Sequence, residues 1–131
     1  MLILAAILGT VAYILSRDMK RDIRGVENRN FVAGTRVAIK DGVQTQGVKS
    51  VMGQAIDTAR SVGLSPVVTS GYRPGDRGSL HAQGLALDFR SRHLSTNESV
   101  RVAEEMQEKL GSDWDVIAEF NPAHIHVEYD P

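Results

Sequence analysis

The stretch SLHAQGLALDF, residues Ser79 to Phe89, and the closing run HIHVEY, residues His124 to Tyr129, decide how this chain is read. In HIHVEY the period-two alternation of a strand puts His124, His126 and Glu128 on one face and Ile125, Val127 and Tyr129 on the other. In the first stretch Gly84 offers a turn, after which Leu85, Leu87 and Phe89 alternate with Ala86, Asp88 and Arg90. Each run therefore has an apolar side to bury and a side that carries imidazole or carboxylate. An ordinary half-buried strand rarely places two histidines on its polar side.

Outward from these runs, the remaining elements supply what such strands need to pack on. From Gln46 to Val62 the apolar positions Val48, Val51, Met52, Ala55, Ile56, Ala59 and Val62 follow one helix face, and Gly63 stands where a C-cap belongs. Pro66 to Thr69 (PVVT) reads as a short buried strand running into the loop that Ser70-Gly71 begins. Ser95 and Glu98 form a capping box that opens a second helix, with Val100, Ala103, Met106 and Leu110 facing inward and Gly111 closing it. Trp114 to Phe120 (WDVIAEF) is a further strand, joined to the last one by the turn-forming Asn121-Pro122.

Length and composition bound the possibilities. The 131 residues suffice for one compact domain with an appendage, and 42% apolar against 24% charged residues is the balance of a folding chain. Fifteen basic and 16 acidic side chains leave a net charge of -1, so no global field draws the protein toward nucleic acid. The absence of cysteine removes disulfides, thiolate ligands and a cysteine nucleophile together, so any metal must be held by His and carboxylate.

At the N-terminus, residues 1–16 (MLILAAILGTVAYILS) carry no charged side chain, and a polar, charged stretch follows over 17–30. The apolar run is shorter than the roughly 20 residues of a full span and close to a signal-peptide core in length. It lacks a basic segment before it and a small-x-small site after it, which favours a retained membrane anchor, residues 17–30 as a juxtamembrane linker, and a domain over 31–131. Arg17, Lys20, Arg21 and Arg24 lie after the apolar run, so the positive-inside rule would keep that domain on the cytoplasmic side.

The chemistry sits in Ser79–Asp88 and His124–His126. A histidine from a loop, a carboxylate from the strand that follows and a histidine from a second strand can converge on one point, the three-ligand pattern of catalytic zinc with water in the fourth position. Ser79 lacks a nucleophile-elbow sequence and is better suited to orienting His81 by a local hydrogen bond. Trp114 and Tyr129 read as packing residues, and His93 as solvent-exposed.

The pattern SxHxxGxAxD, met by Ser79, His81, Gly84, Ala86 and Asp88, together with the downstream HxH of His124 and His126, resembles the zinc D-Ala-D-Ala carboxypeptidase and L-alanyl-D-glutamate endopeptidase family. The likeness runs over roughly Val48 to Tyr129, because Thr69-Ser-Gly-Tyr-Arg73 also fits that family's strand-to-loop segment with its substrate-binding arginine. It implies a small α+β fold, an antiparallel sheet bearing one zinc ion and packed on two helices. It further implies that His81, Asp88 and His126 ligate the zinc, that His124 assists at the carbonyl oxyanion, and that Arg73 holds a substrate carboxylate or the developing charge. Members often place a carboxylate three residues before the last ligand as general base; that position is Ala123, so Glu119 is the expected substitute and Glu128 the second choice. The expected function is a membrane-tethered peptidase acting on peptidoglycan peptides, bacterial or carried by a bacteriophage for entry or lysis. The alternative is a non-catalytic metal-binding structural protein, for example of a virion.

Overall fold

The computed structural model describes residues 25–131, apart from the side chains of residues 26–29. The apolar run 1–16 and the charged residues up to 24 lie outside the described residues, and so does the membrane anchor expected there. Among the described residues, no helix is long and apolar enough to cross a membrane.

The chain runs through β1 (Val26–Val32), β2 (Thr35–Lys40), α1 (Gly53–Ser61), β3 (Val67–Ser70), β4 (Ala86–Arg90), α2 (Thr96–Leu110), β5 (Trp114–Phe120) and β6 (Ala123–Tyr129). The strands form one six-stranded sheet in the order β1-β2-β3-β4-β6-β5. This is the expected α+β class with two helices, but the sheet is mixed. β2 and β3 run parallel, joined through α1, while all other neighbours are antiparallel. β1 begins at Val26, within the stretch 17–30 expected as a linker, whose residues up to 24 lie outside the described ones.

Both helices cover the same face of the sheet. Met52, Ala55, Ile56 and Ala59 from around α1 and Val102, Ala103 and Met106 from α2 share one core with Val68, Leu87, Phe89, Ile125 and Val127 from the central strands. The apolar alternation of β4 and β6 thus points toward the helices, as their period requires. Trp114 and Tyr129 close one end of this core, with ring centroids 5.0 Å apart.

The helix ends follow their caps. α2 opens on the Ser95–Glu98 capping box, both of whose reciprocal hydrogen bonds form. α1 closes in a Schellman motif, in which Gly63 N–H donates to Arg60 C=O and Leu64 N–H donates to Ala59 C=O. Two details depart from the spacing. Gln46 to Lys49 are not helical: Lys49 N–H donates to the Gly84 carbonyl, and helical structure starts only with a 3-10 turn at Ser50–Met52. Val100 is exposed, because Ser99, Val102, Ala103 and Met106 occupy the inward stripe.

Candidate metal centre

The other face of the sheet carries the polar set. Cross-strand register places Asp88 of β4 opposite His126 of β6, Arg90 opposite His124 and Ala86 opposite Glu128. On the far side of β6, Ile117 lies opposite His126 and Glu119 opposite His124. Directly paired residues in an antiparallel sheet share a face, so the three pairs form a ladder of imidazole, carboxylate and guanidinium side by side. The chain between β3 and β4 folds back over this ladder and brings His81 onto it.

His81 is set by its backbone. Ser79 caps a 3-10 turn at Leu80–Gln83, its hydroxyl accepting from the His81 N–H at 3.1 Å, and the Arg73 N–H donates to the His81 carbonyl. Ser79 therefore orients His81 through the main chain, as a local capping bond does. The turn closes at Gly84, whose φ of +74° suits glycine; a Cβ there would stand 1.9 Å from the Gly47 carbonyl oxygen. A Cβ on Gly71 would likewise meet the Gln44 carbonyl oxygen at 2.6 Å. The segment 44–49 is thus pressed against both ends of the loop that carries His81.

The hydrogen bonds assign the protons. His81 Nδ1 lies 2.8 Å from the Gly71 carbonyl oxygen, which can only accept, so Nδ1 carries the hydrogen. His81 Nε2 is buried without a hydrogen-bond partner, 3.4 Å from Asp88 Oδ1. On the other side of Asp88, His126 Nδ1 lies 2.8 Å from the same Oδ1, while its Nε2 lies 2.7 Å from Glu128 Oε1. Ligand atoms about 2.1 Å from a shared tetrahedral ion stand roughly 3.4 Å apart, the separation of His81 Nε2 and Asp88 Oδ1, while His126 Nδ1 stands closer to Asp88, at hydrogen-bond distance. His81, Asp88 and His126 form a buried to half-buried group whose ligand atoms all lie within 4.8 Å of one another and could hold a metal ion.

The electrostatics suit a cation. Burial alone would raise the Asp88 carboxyl, but its hydrogen bond with His126 and the positive charge beside it outweigh burial and hold it well below the usual carboxylate range. Burial would lower His126, yet the hydrogen bonds to Asp88 and Glu128 and their charges push it up to about 9. Both its nitrogens face carboxylate oxygens, so without a metal it is an imidazolium filling the positive end of the site. The donor set fits a metal: a partnerless imidazole nitrogen, an ionised carboxylate and a second imidazole that a cation can deprotonate.

The other expected residues surround this group. His124 Nε2 is 3.9 Å from Asp88 Oδ1 and 3.6 Å from Glu119 Oε2, and its Nδ1 lies 2.8 Å from the Pro122 carbonyl oxygen. Glu119 therefore sits beside His124 at the open edge, and Glu128 is engaged with His126. Arg73 reaches the rim of the cleft and pairs with Asp76 at 3.1 Å. The cleft over the site has a volume of about 750 Å³, and Lys40, Arg90 and Arg92 line it too.

Arg90 is the functional candidate that the motif reading passed over. It is 4% exposed and stands on the site face two residues beyond Asp88. The signal was in the strand itself, since an arginine in phase with Asp88 points into the same cleft. His93, expected on the surface, is half-buried.

Comparison with protein-family models, with curated proteins and with solved structures finds no match to this chain. What the site does has to be read from its own atoms.

Proposed function

We propose that this protein is a zinc-dependent peptidase that hydrolyses peptide bonds of peptidoglycan stem peptides, with His81, Asp88 and His126 as the zinc ligands. The observation that carries it is His81 Nε2, a buried ring nitrogen with no hydrogen-bond partner, poised beside Asp88 and His126 at the floor of an open cleft. The large majority of buried side-chain polar atoms are hydrogen-bonded. The resemblance of Ser79–Asp88 and His124–His126 to zinc carboxypeptidases and endopeptidases supports the same reading.

A bound zinc supplies polarisation of a carbonyl oxygen and a water whose pKa falls toward about 7. The residues around it divide the remaining work. His124, its Nδ1–H held by the Pro122 carbonyl, turns Nε2 toward the cleft, where an N–H at that position would donate to the oxyanion. Glu119, 3.6 Å from that nitrogen, takes up the proton that the attacking water gives up. Arg73 at the rim and Arg90 within the wall grip a carboxylate of the substrate. The apolar N-terminal run would tether the domain to a membrane.

Purified chain with zinc should release new amino termini from peptidoglycan, and His126→Ala should abolish the release. No release anywhere between about pH 5 and pH 9 sinks the peptidase reading. One observation favours a second reading, a non-catalytic, membrane-anchored structural protein that keeps its metal for stability. Ala123 replaces the carboxylate expected there, and Glu119 and Glu128 already face histidines. That reading predicts one zinc per chain, a thermal midpoint lowered by chelator, and no hydrolysis.

A further inference from the structure

The two imidazoles of the site are turned in opposite senses. His81 gives Nδ1–H to a backbone carbonyl and keeps Nε2 toward Asp88, whereas His126 directs Nδ1 at Asp88 and Nε2 at Glu128. The partner behind His81 is a neutral oxygen fixed by the loop, and the partner behind His126 is a carboxylate carried by the same strand.

Glu128 reaches His126 because of the sheet. The residues are two apart on β6 and so project from the same face. The cross-strand neighbour of Glu128 on β4 is Ala86, whose small, fully buried side chain leaves room above it. Nδ1 and Nε2 lie on different edges of an imidazole. A carboxylate 2.7 Å from Nε2 therefore stands behind the ring, while Asp88 stands in front of Nδ1. That placement removes Glu128 from the work of a general base, which must reach the water at the metal.

We infer that Glu128 is a positioning residue of the metal centre: its carboxylate accepts the His126 Nε2–H, fixing the ring as an Nδ1 ligand and making it a more basic one. Carboxylate–imidazole–metal arrangements work in this way generally, and losing the outer partner typically costs 10–100-fold in metal affinity. The inference rests on the metal reading of His81, Asp88 and His126, and adds that this centre ligates through one Nε2 and one Nδ1.

The test is zinc binding by the whole 131-residue chain in detergent, measured by competition with a chromophoric chelator. Glu128→Gln keeps a neutral acceptor and should weaken binding by about 10-fold, and Glu128→Ala by up to about 100-fold. Nitrogen-15 spectra of the zinc-loaded, histidine-labelled chain provide the readout that lost stability alone would not move. The parent should show His126 metallated at Nδ1 and protonated at Nε2, and the alanine variant a mixture of the two ring states. If Glu128→Ala does not fold, as judged by circular dichroism, the isosteric Glu128→Gln carries the test alone. Parent-like affinity, within twofold, in the folded variants, or His126 metallated at Nε2 in the parent, overturns the inference and leaves the metal reading intact. A parent chain that binds no zinc overturns both.

Discussion

The two faces of the central strands β4 and β6 share one backbone and obey different rules. On the helix side, Leu87, Phe89, Ile125 and Val127 are wholly buried among other apolar side chains, and any side chain of the right volume could serve. On the other side, Asp88, Arg90, His124, His126 and Glu128 each have partners set by charge and proton position. Volume is a forgiving requirement and proton inventory is not. The helix face should therefore govern whether the chain folds, and the other face what it binds.

The largest break in that contrast should come from Phe89→Ala, which empties a fully buried site and should cost about 3–5 kcal/mol in denaturant unfolding, with zinc affinity of the folded fraction unchanged. An equal loss of affinity would mean that the two faces are not separable.

The pH response of the metal-free chain comes next. The folded pKa of His126 lies near 9, above its ordinary 6.5, so its stabilising contribution is complete below 6.5 and lost as pH rises through about 9. At roughly 1.4 kcal/mol per unit the loss is at most about 3 kcal/mol, visible as a thermal midpoint that falls between pH 6 and 9.5 and does not fall in His126→Gln. Asp88 has the opposite sign: its folded value is depressed, so its contribution is present above the unfolded 3.8 and lost in stronger acid.

Zinc should reverse the alkaline trend, because a metal takes the place of the Nδ1 proton of His126. At a hundredfold excess over its Kd, zinc should add about 2.7 kcal/mol to the parent and nothing to His81→Ala, read by thermal unfolding with and without chelator. The smallest effect belongs to the outer surface. Glu105→Ala removes a 3.4 Å contact with Arg101 on exposed α2 and should cost less than about 0.5 kcal/mol.

The same contrast explains what could be read in the sequence. The helix face of β4 and β6 was legible because period two is a local property, and α2 because Ser95 and Glu98 cap it within four residues. Of the group that could hold a metal, Asp88 and His126 were legible for the same reason, and His81 through the motif around its turn. β1 and β2 were not seen. β1 mixes polar residues with Phe31, which is exposed, and in β2 Val37 and Ala38 are buried side by side, so neither alternates cleanly. With β2 missed, the parallel pair and hence the mixed sheet were missed too. The start of α1 was misplaced because Val48 has helical spacing, while Lys49 is tied to Gly84, a residue far along the chain. Proton positions are a product of tertiary contact: the sequence offers Glu128 as a second-choice base, and only the fold sets its carboxylate 2.7 Å from His126 Nε2.

Gly71 and Gly84 carry a last consequence, which concerns how this protein can be altered. Backbone from 44–49 lies so close to both that neither segment can change course, whereas Gly75 and Gly78, between them, meet nothing within 4 Å and their neighbours Pro74 to Arg77 are exposed. The loop is thus clamped at its two ends and slack in its middle. Insertions or exchanged sequence at 74–78 can reshape the mouth of the cleft while His81 stays in register with Asp88. A library built there would vary what enters the site, and one built at 44–49 would mostly lose the site.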